Sequence, residues 1–105
     1  MELKGKVALV TGASKGIGAG IAEAMAAEGA AVAVNYSSDS SGADRVVKAI
    51  KDKGSNAIAI QANVASVEDA RRLVSETVAE FGRLDILVNN AAAYDMAAIE
   101  DITEE

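Results

Sequence analysis

The sequence predicts an α/β fold: a four-stranded parallel sheet with crossover helices on both faces. Two observations carry this prediction. Four short apolar runs alternate along the chain with three segments whose apolar residues recur every three or four positions. Solid apolar runs are typical of strands buried on both faces, and the longer spacing is typical of helices. Strands that alternate with helices form parallel sheets with right-handed crossovers.

The first half of the chain carries two predicted strands and one helix. The strands are Lys6–Thr11 and Ala30–Asn35, and the helix between them ends at Gly29. A glycine at that point supplies the positive φ that closes a helix. The apolar stripe of this helix consists of Ile17, Ile21 and Met25, with Ala22 and Ala26 beside them.

The second half repeats the alternation twice. Ser41 is the predicted cap of a helix that ends at Gly54, and Ala57–Gln61 is the third strand. Ser66 caps the next helix, with Asp69 completing an arrangement close to a capping box. The last of these helices ends at Gly82, and the fourth strand is Leu84–Val88. The apolar stripe of the first of the two helices consists of Val46, Val47 and Ile50. That of the second consists of Val67, Ala70, Leu73, Val74, Thr77, Val78 and Phe81.

Missing residue types exclude several classes of function. The 105 residues include no Cys, His, Pro or Trp, which excludes disulfides, Ser-His-Asp and Cys-His sites, and argues against zinc or another soft metal. No apolar run is long enough to span a bilayer, and residues 1–20 contain no signal-type block. Three aromatic residues provide no stacking platform for nucleic acid. We expect a cytoplasmic protein with neither a membrane nor a nucleic acid as its partner.

The net charge of −6 is unevenly distributed. Residues 1–94 contain all 10 basic residues and 11 acidic ones, so a phosphate-bearing ligand is compatible with this nearly neutral part. Residues 95–105 are acidic and contain no basic residue. The length predicts a single domain over residues 1–105. Its last eleven residues are interpreted as an acidic tail or as the start of a truncated helix, since Thr103 can cap a helix and two acids follow it.

The most informative segment is Thr11–Gly18, which joins the first strand to the first helix. Gly12 permits the turn out of the strand, whereas Gly16 and Gly18 let the backbone approach a pyrophosphate and let the helix pack close to the sheet. Free N–H groups at the helix start then face the phosphates. A flexible loop without a ligand is the alternative. The candidate contacts of this glycine loop are Gly12, Ser14, Lys15, Gly16, Ile17 and Gly18.

With Asn63-Val64 after the third strand and Asn89–Ala92 after the fourth, the glycine loop resembles that of the short-chain dehydrogenase/reductase family. Tyr36–Ser38 and Phe81–Asn90 are similar to bacterial ketoacyl-carrier-protein reductases, glucose dehydrogenases and fungal naphthol reductases. The resemblance covers all 105 residues. It implies the N-terminal half of a Rossmann-type domain with the strand order 3-2-1-4, truncated after the fourth strand, with an ancestry in carbonyl reduction by hydride transfer.

Charge favours NADP over NAD as the cofactor. An NAD site usually ends the second strand with an acid that accepts from the ribose 2′-hydroxyl, whereas the first acid after this strand is Asp39. Lys15 and the neighbouring hydroxyl groups suit a 2′-phosphate dianion. The alternative is that Lys15 is a solvated surface lysine and that Asp39 reaches a ribose. The candidate residues at the end of the second strand and directly after it are Asn35, Tyr36, Ser37 and Ser38.

The resemblance also implies contacts at the later strand ends. Asn63 would form a hydrogen bond with the adenine edge, and Val64 would pack against it. Asn90, Ala91 and Ala92 would line the ribose on the nicotinamide side, although Ala92 stands where the family has glycine.

The catalytic residues that the resemblance calls for are not present. The family uses a Ser and a Tyr followed four residues later by Lys, all beyond the fourth strand, whereas Tyr36 and Tyr94 are followed at that spacing by Ser40 and Ala98. We therefore expect no turnover by the chain alone.

Three hypotheses remain open from the sequence. The chain is a module that binds NADP(H) without transferring hydride, or an engineered or excised half-fold that forms a homodimer through the exposed edge of the fourth strand. The third hypothesis is a reductase whose second half comes from another chain.

Overall fold

A computed structural model describes residues 2–90 of the chain. Its four strands form one parallel sheet in the order β3-β2-β1-β4, which confirms the predicted topology. Leu9 lies level with Ala33 on one side and with Leu87 on the other. The elements are β1 (Val7–Val10), α1 (Gly16–Ala27), β2 (Ala31–Tyr36), α2 (Ser40–Asp52), β3 (Ala57–Gln61), α3 (Val67–Phe81) and β4 (Ile86–Val88). Ala91, Ala92 and the predicted tail at residues 95–105 lie outside the described residues.

Helices cover both faces of the sheet, as predicted. Alternate residues of a strand point to opposite faces, and the core is accordingly divided into two clusters. The cluster under α1 and α2 includes Ala8, Val10, Val32, Val34, Ala22, Ala26, Val46 and Ile50, and the cluster under α3 includes Leu9, Ala33, Ile60, Ala70 and Leu73.

The predicted apolar stripe of α1 is wrong at Ile17, whose side chain is 78% exposed. The face that α1 buries is instead the line of small residues Gly18, Ala22 and Ala26. Small side chains let a helix axis approach a sheet closely, and this close approach rotates Ile17 away from the core. Ile21 and Met25 are half-buried at the margin of the cluster.

The predicted cap of α2 is also wrong. Asp39 caps this helix by accepting from the Gly42 N–H at 3.0 Å, and Ser41 lies within its first turn. The predicted cap of α3 is confirmed, because Ser66 Oγ accepts from the Asp69 N–H at 3.3 Å. The capping box is not formed, because the Asp69 carboxylate accepts from the Asn63 N–H and the Ser66 N–H donates to the Asn63 carbonyl. The buried face of α3 is narrower than its predicted stripe, since Val67 and Val78 are exposed.

The glycines predicted to end the helices are confirmed. Gly29, Gly54 and Gly82 all have positive φ, between 85° and 102°, a conformation that costs glycine little. β1 and β4 are shorter than predicted, and β2 lies one residue later. β4 begins after Asp85, whose N–H donates to the Val7 carbonyl at 3.0 Å and whose carboxylate accepts from the Val7 N–H at 2.9 Å.

Candidate functional site

The candidate residues within the described range meet at the carboxyl edge of the sheet. Backbone hydrogen bonds join the strand ends there: Ala13 N–H to the Asn35 carbonyl at 2.8 Å, and Ala62 N–H to the Tyr36 carbonyl at 3.0 Å. The Asn90 N–H donates to Thr11 Oγ1 at 2.9 Å and so adds the end of β4. Open α/β sheets bind ligands at this edge, where the strand order reverses.

Two asparagine side chains hold the Gly12 peptide from opposite sides. Gly12 has φ +60°. Its N–H donates to Asn35 Oδ1 at 3.1 Å, and its carbonyl accepts from Asn90 Nδ2 at 3.1 Å. Since the Ala13 N–H is also bonded to Asn35, the protein itself uses the first two N–H groups after Thr11.

The amino end of α1 follows and is open. Lys15 stands at the N-cap position, forms no side-chain cap bond, and is exposed. Within residues 2–90, the N–H groups of Gly16, Ile17 and Gly18 have no acceptor. No acidic residue lies in the first turn, so the positive end of the helix dipole is uncompensated there. This arrangement suits a phosphate.

Gly18 contributes by its size. A Cβ at this position would overlap the Gly12 carbonyl oxygen and lie 2.5 Å from Asn90 Nδ2 and 3.0 Å from the Ala13 Cα. The absence of a side chain therefore lets the first turn of α1 sit against the glycine loop.

The loop between β2 and α2 reaches the same place. A Cβ on Gly42 would lie 2.5 Å from the Ser14 carbonyl oxygen, so the first turn of α2 abuts the glycine loop beside Lys15. Ser37 and Ser38 are exposed next to this contact, and Tyr36 is half-buried. One oxygen of Asp39 is committed to the cap of α2.

The turn after β3 presents Asn63 and buries Val64. Asn63 is exposed and its Oδ1 accepts from the Ala65 N–H at 3.0 Å, which directs its amide NH₂ group away from the turn. Val64 is 6% exposed and belongs to the core cluster under α3. The structure thus places Asn63 at the surface of the site and most of Val64 beneath it.

Two residues that the sequence did not identify hold this turn. The Asp69 carboxylate accepts from the Asn63 N–H at 2.8 Å, and Arg72 donates to the Gln61 carbonyl at 2.7 Å. Asp69 had a signal in the capping pattern with Ser66, whereas Arg72 looks like any exposed helical arginine in the sequence.

The opposite, amino edge of the sheet offers a weaker candidate. A depression of about 500 Å³ lies between Gly29–Ala31 and Lys53–Asn56, with Lys4 at its margin. The carboxyl ends of α1 and α2 border it, and their dipoles disfavour an anion there. At the same edge, the hydrogen bonds from Arg83 and then from the Val7 N–H lower the pKa of Asp85 below its ordinary value.

Other kinds of site lack support in residues 2–90. No three Asp, Glu, His or Cys side chains cluster there in a way that could hold a metal ion. None of the helices in this part of the chain has the length and apolar character to cross a membrane.

Comparison with known proteins gives a consistent result. The sequence model of a family described as short chain dehydrogenase matches residues 6–105. An uncharacterized oxidoreductase of Methylorubrum extorquens is 61% identical over 104 residues, and versicolorin reductase 1 of Aspergillus parasiticus is 50% identical over 104 residues. Each alignment covers 99% of this chain, but only 42% and 40% of those two relatives.

Solved structures agree. A double mutant of a Serratia marcescens short-chain dehydrogenase/reductase superimposes with a TM-score of 0.86 at 45% identity, over 90% of this chain and 38% of that one. A short-chain dehydrogenase from Burkholderia cenocepacia, solved in complex with NADP, gives a TM-score of 0.82 at 41% identity, over 97% of this chain and 46% of that one.

Proposed function

The chain belongs to the short-chain dehydrogenase/reductase family, and on that premise we propose that it binds NADP(H) at the carboxyl edge of its sheet. The observation that carries this proposal is the open amino end of α1, where three successive N–H groups have no acceptor within residues 2–90. The pyrophosphate accepts from these groups, in the N-terminal turn that includes Gly16 and Gly18.

The 2′-phosphate of NADP lies between Lys15 and the loop after β2. Lys15 supplies a cation, and the exposed Ser37 and Ser38 supply hydroxyl donors. The contact of Gly42 with Ser14 holds these two segments side by side. Asp39 uses one carboxylate oxygen to cap α2, so it is less available to a ribose hydroxyl than a free acid. The NADP complex of the Burkholderia cenocepacia relative supports the same choice.

The two ends of the dinucleotide extend along the sheet edge from there. The adenine lies at the turn after β3, where Asn63 is exposed, and the nicotinamide half lies toward Asn90 at the end of β4. Gly12, Ser14 and Ile17 border the pyrophosphate, and Ile17 is apolar and exposed beside it. Tyr36 borders the adenosine, and Ala91 and Ala92 remain proposed contacts of the nicotinamide ribose.

We propose no hydride transfer by the chain alone. Carbonyl reduction would belong to a longer protein, or to a complex in which other residues supply an acid and orient a substrate. Incubating the chain with NADPH and simple ketones should therefore give no oxidation of NADPH above the rate without protein.

Binding is tested by calorimetric titration with NADPH and, for comparison, NADH. We expect saturable binding that favours NADPH. Lys15→Gln should weaken NADPH binding by about fivefold and leave NADH unchanged, because a single exposed charge pair contributes up to roughly 1 kcal/mol. Lys53→Gln is the matched control, since it neutralises an exposed lysine at the opposite edge of the sheet. Absence of heat from a folded chain, or equal effects of the two variants, would contradict the proposal.

A second candidate function is self-association. Within residues 2–90, β4 pairs with β1 alone, and half-buried apolar side chains such as Leu84, Ile86 and Leu87 lie beside its open edge. Open strand edges pair with other chains, and a homodimer related by a twofold axis would satisfy this one.

Sedimentation equilibrium tests this candidate. A dimer that Ile86→Lys dissociates and that Ala79→Lys leaves intact would support it, because Ala79 is exposed on the side of α3 that faces β3 and not β4. A monomer at all accessible concentrations would exclude it.

A further inference from the structure

We propose that Asn35 is a positioning residue of the dinucleotide site: its buried carboxamide fixes Gly12 of the glycine loop against the end of β3. The inference builds on the proposed function, because it assigns Asn35 a role in presenting the phosphate-binding groups and not in touching the ligand.

The geometry uses every polar group of this side chain. Asn35 is 2% exposed, in the middle of the sheet. Its Oδ1 accepts from the Gly12 N–H at 3.1 Å, and its Nδ2 donates to the Ile60 and Ala62 carbonyls, each at 3.2 Å. A carboxamide supplies both an acceptor and two donors, so these three bonds also fix which way the amide faces.

Asn35 is a buried polar residue that follows an apolar stretch of β2. The preceding β2 residues Val32, Ala33 and Val34 are apolar and fully buried. A buried amide contributes little net stability even when satisfied, and it is costly if any partner is lost. The bonds to Gly12 and to the end of β3 therefore give a reason for a polar residue here that the packing of the sheet does not give.

As a result, some N–H groups of the glycine loop are bonded within the protein and others stay free. Asn35 accepts a hydrogen bond from the Gly12 N–H through its side chain and one from the Ala13 N–H through its backbone carbonyl. The chain then leaves the strand in one defined direction, and the N–H groups of Gly16–Gly18 remain available at the start of α1. A ligand that meets groups already in position does not have to supply the free energy of ordering them.

The same side chain couples two parts of the site. Ala62, which it holds, immediately precedes Asn63 at the proposed adenine end, and Gly12 begins the loop at the pyrophosphate. The glycine loop and the turn after β3 therefore keep a fixed separation. Without the carboxamide, only the backbone bonds from Ala13 and Ala62 to β2 would link the two parts.

The test compares Asn35→Ala with Thr77→Val in the 105-residue chain. Thr77 is also fully buried, and its Oγ1 donates one hydrogen bond, to the Leu73 carbonyl at 2.8 Å. Thr77→Val removes this bond within α3. NADPH affinity is measured by calorimetry, and exchange of the Gly12 amide proton is measured by NMR without ligand. Asn35→Ser is the second variant should Asn35→Ala not fold, because its hydroxyl is too short to span Gly12 and β3.

We expect the Asn35 variant to bind NADPH about tenfold more weakly, the size of effect that one or two lost hydrogen bonds produce. Exchange of the Gly12 amide should accelerate by at least about tenfold relative to the amide of Leu9, because its acceptor is gone. Thr77→Val should change neither quantity.

Unchanged NADPH affinity in the Asn35 variant would overturn the inference, and so would an equal loss in Thr77→Val. A Gly12 amide that exchanges without protection in the unsubstituted chain would overturn it even if no variant folds. Absence of NADPH binding by the unsubstituted chain would instead overturn the proposed function, whereas the Gly12 exchange rates would still decide whether Asn35 fixes the loop.

Discussion

The amino ends of α1 and α3 are the same structural element completed in two different ways. Both follow a strand at the carboxyl edge of the sheet. At α3, Ser66 caps the helix, and Glu68 and Asp69 lie in its first turn. At α1, Lys15 occupies the cap position without a cap bond, and the first turn contains no acid.

The difference separates groups that stabilise the fold from groups left for a ligand. Capping an N-terminus contributes about 1 kcal/mol of stability, and acids in the first turn add to it through the helix dipole. α3 takes both contributions. α1 has neither contribution and keeps a positive, uncapped terminus next to Lys15, an arrangement that favours an anionic ligand.

The largest expected effect comes from Gly18→Ala. The added Cβ has no room against the Gly12 carbonyl and Asn90, so α1 must move away from the loop. We expect a loss of stability of about 1–3 kcal/mol and loss of measurable NADPH binding. Urea unfolding and calorimetry measure the two effects.

Gly20→Ala is the matched control within α1, because a Cβ there meets nothing within 4 Å. Alanine at an open helix position should stabilise the chain by about 0.5–1 kcal/mol without changing binding. Equal behaviour of the two alanine variants would show that the close approach of α1 to the loop is unimportant.

The next effect comes from converting the start of α1 into one like that of α3. Lys15→Asp provides a capping carboxylate and places a negative charge beside the free N–H groups. We expect stability to rise by about 0.5–1 kcal/mol and NADPH affinity to fall at least tenfold, further than in Lys15→Gln. Thermal unfolding and titration in the same buffer measure both. If Lys15→Asp lowered the stability and left NADPH affinity unchanged, the N–H groups at the amino end of α1 would not be free to donate to a cap or a ligand.

Much of this arrangement could be predicted from the sequence. Helices on both faces, the glycines that end the helices and the cap at Ser66 follow from periodicity and local chemistry, and all are confirmed. Such features depend on neighbours in the chain, so a local pattern is sufficient to recognise them. The strand order is also confirmed, but it comes from the resemblance to the family and not from a local pattern.

The errors arise where tertiary contacts decide. Ile17 fits a helical stripe by spacing, but the close packing of Gly18, Ala22 and Ala26 turns it outward. Asp39 caps α2 in place of Ser41, and Gly42 in the first turn of this helix lies close to the Ser14 carbonyl. Asn35 is predicted as the last residue of a buried strand and as a contact of the cofactor, and only the positions of β3 and the glycine loop show that its side chain bonds to both. The ligand itself stays a prediction at every site residue.

A smaller effect is expected at the capped amino end of α3. Ser66→Ala removes the cap of α3 and should cost about 1 kcal/mol of stability. NADPH affinity should change by less than about twofold, because Asp69 still holds Asn63 through its carboxylate. Urea unfolding and calorimetric titration of the same variant measure both quantities. If its NADPH affinity fell as far as that of Lys15→Asp, the α3 cap would contribute to ligand binding and not only to stability.

The smallest effect belongs to Asp85 at the far edge of the sheet, where polar groups serve the fold alone. Bonds from Arg83 and Val7 lower the pKa of Asp85, so its contribution is present above an ordinary carboxyl pKa of about 3.9 and is lost as the pH falls through the lowered value. The stability difference between the unsubstituted chain and Asp85→Ala should therefore be constant near neutral pH and shrink in acid.

Because both side chains of the ion pair between Arg83 and Asp85 reach solvent, added salt should also reduce this difference. Urea unfolding at pH 7 and below pH 4 measures it, and NADPH affinity at pH 7 should be the same in both proteins. A difference in stability that persists in acid would mean that Asp85 acts there by packing and not by its charge.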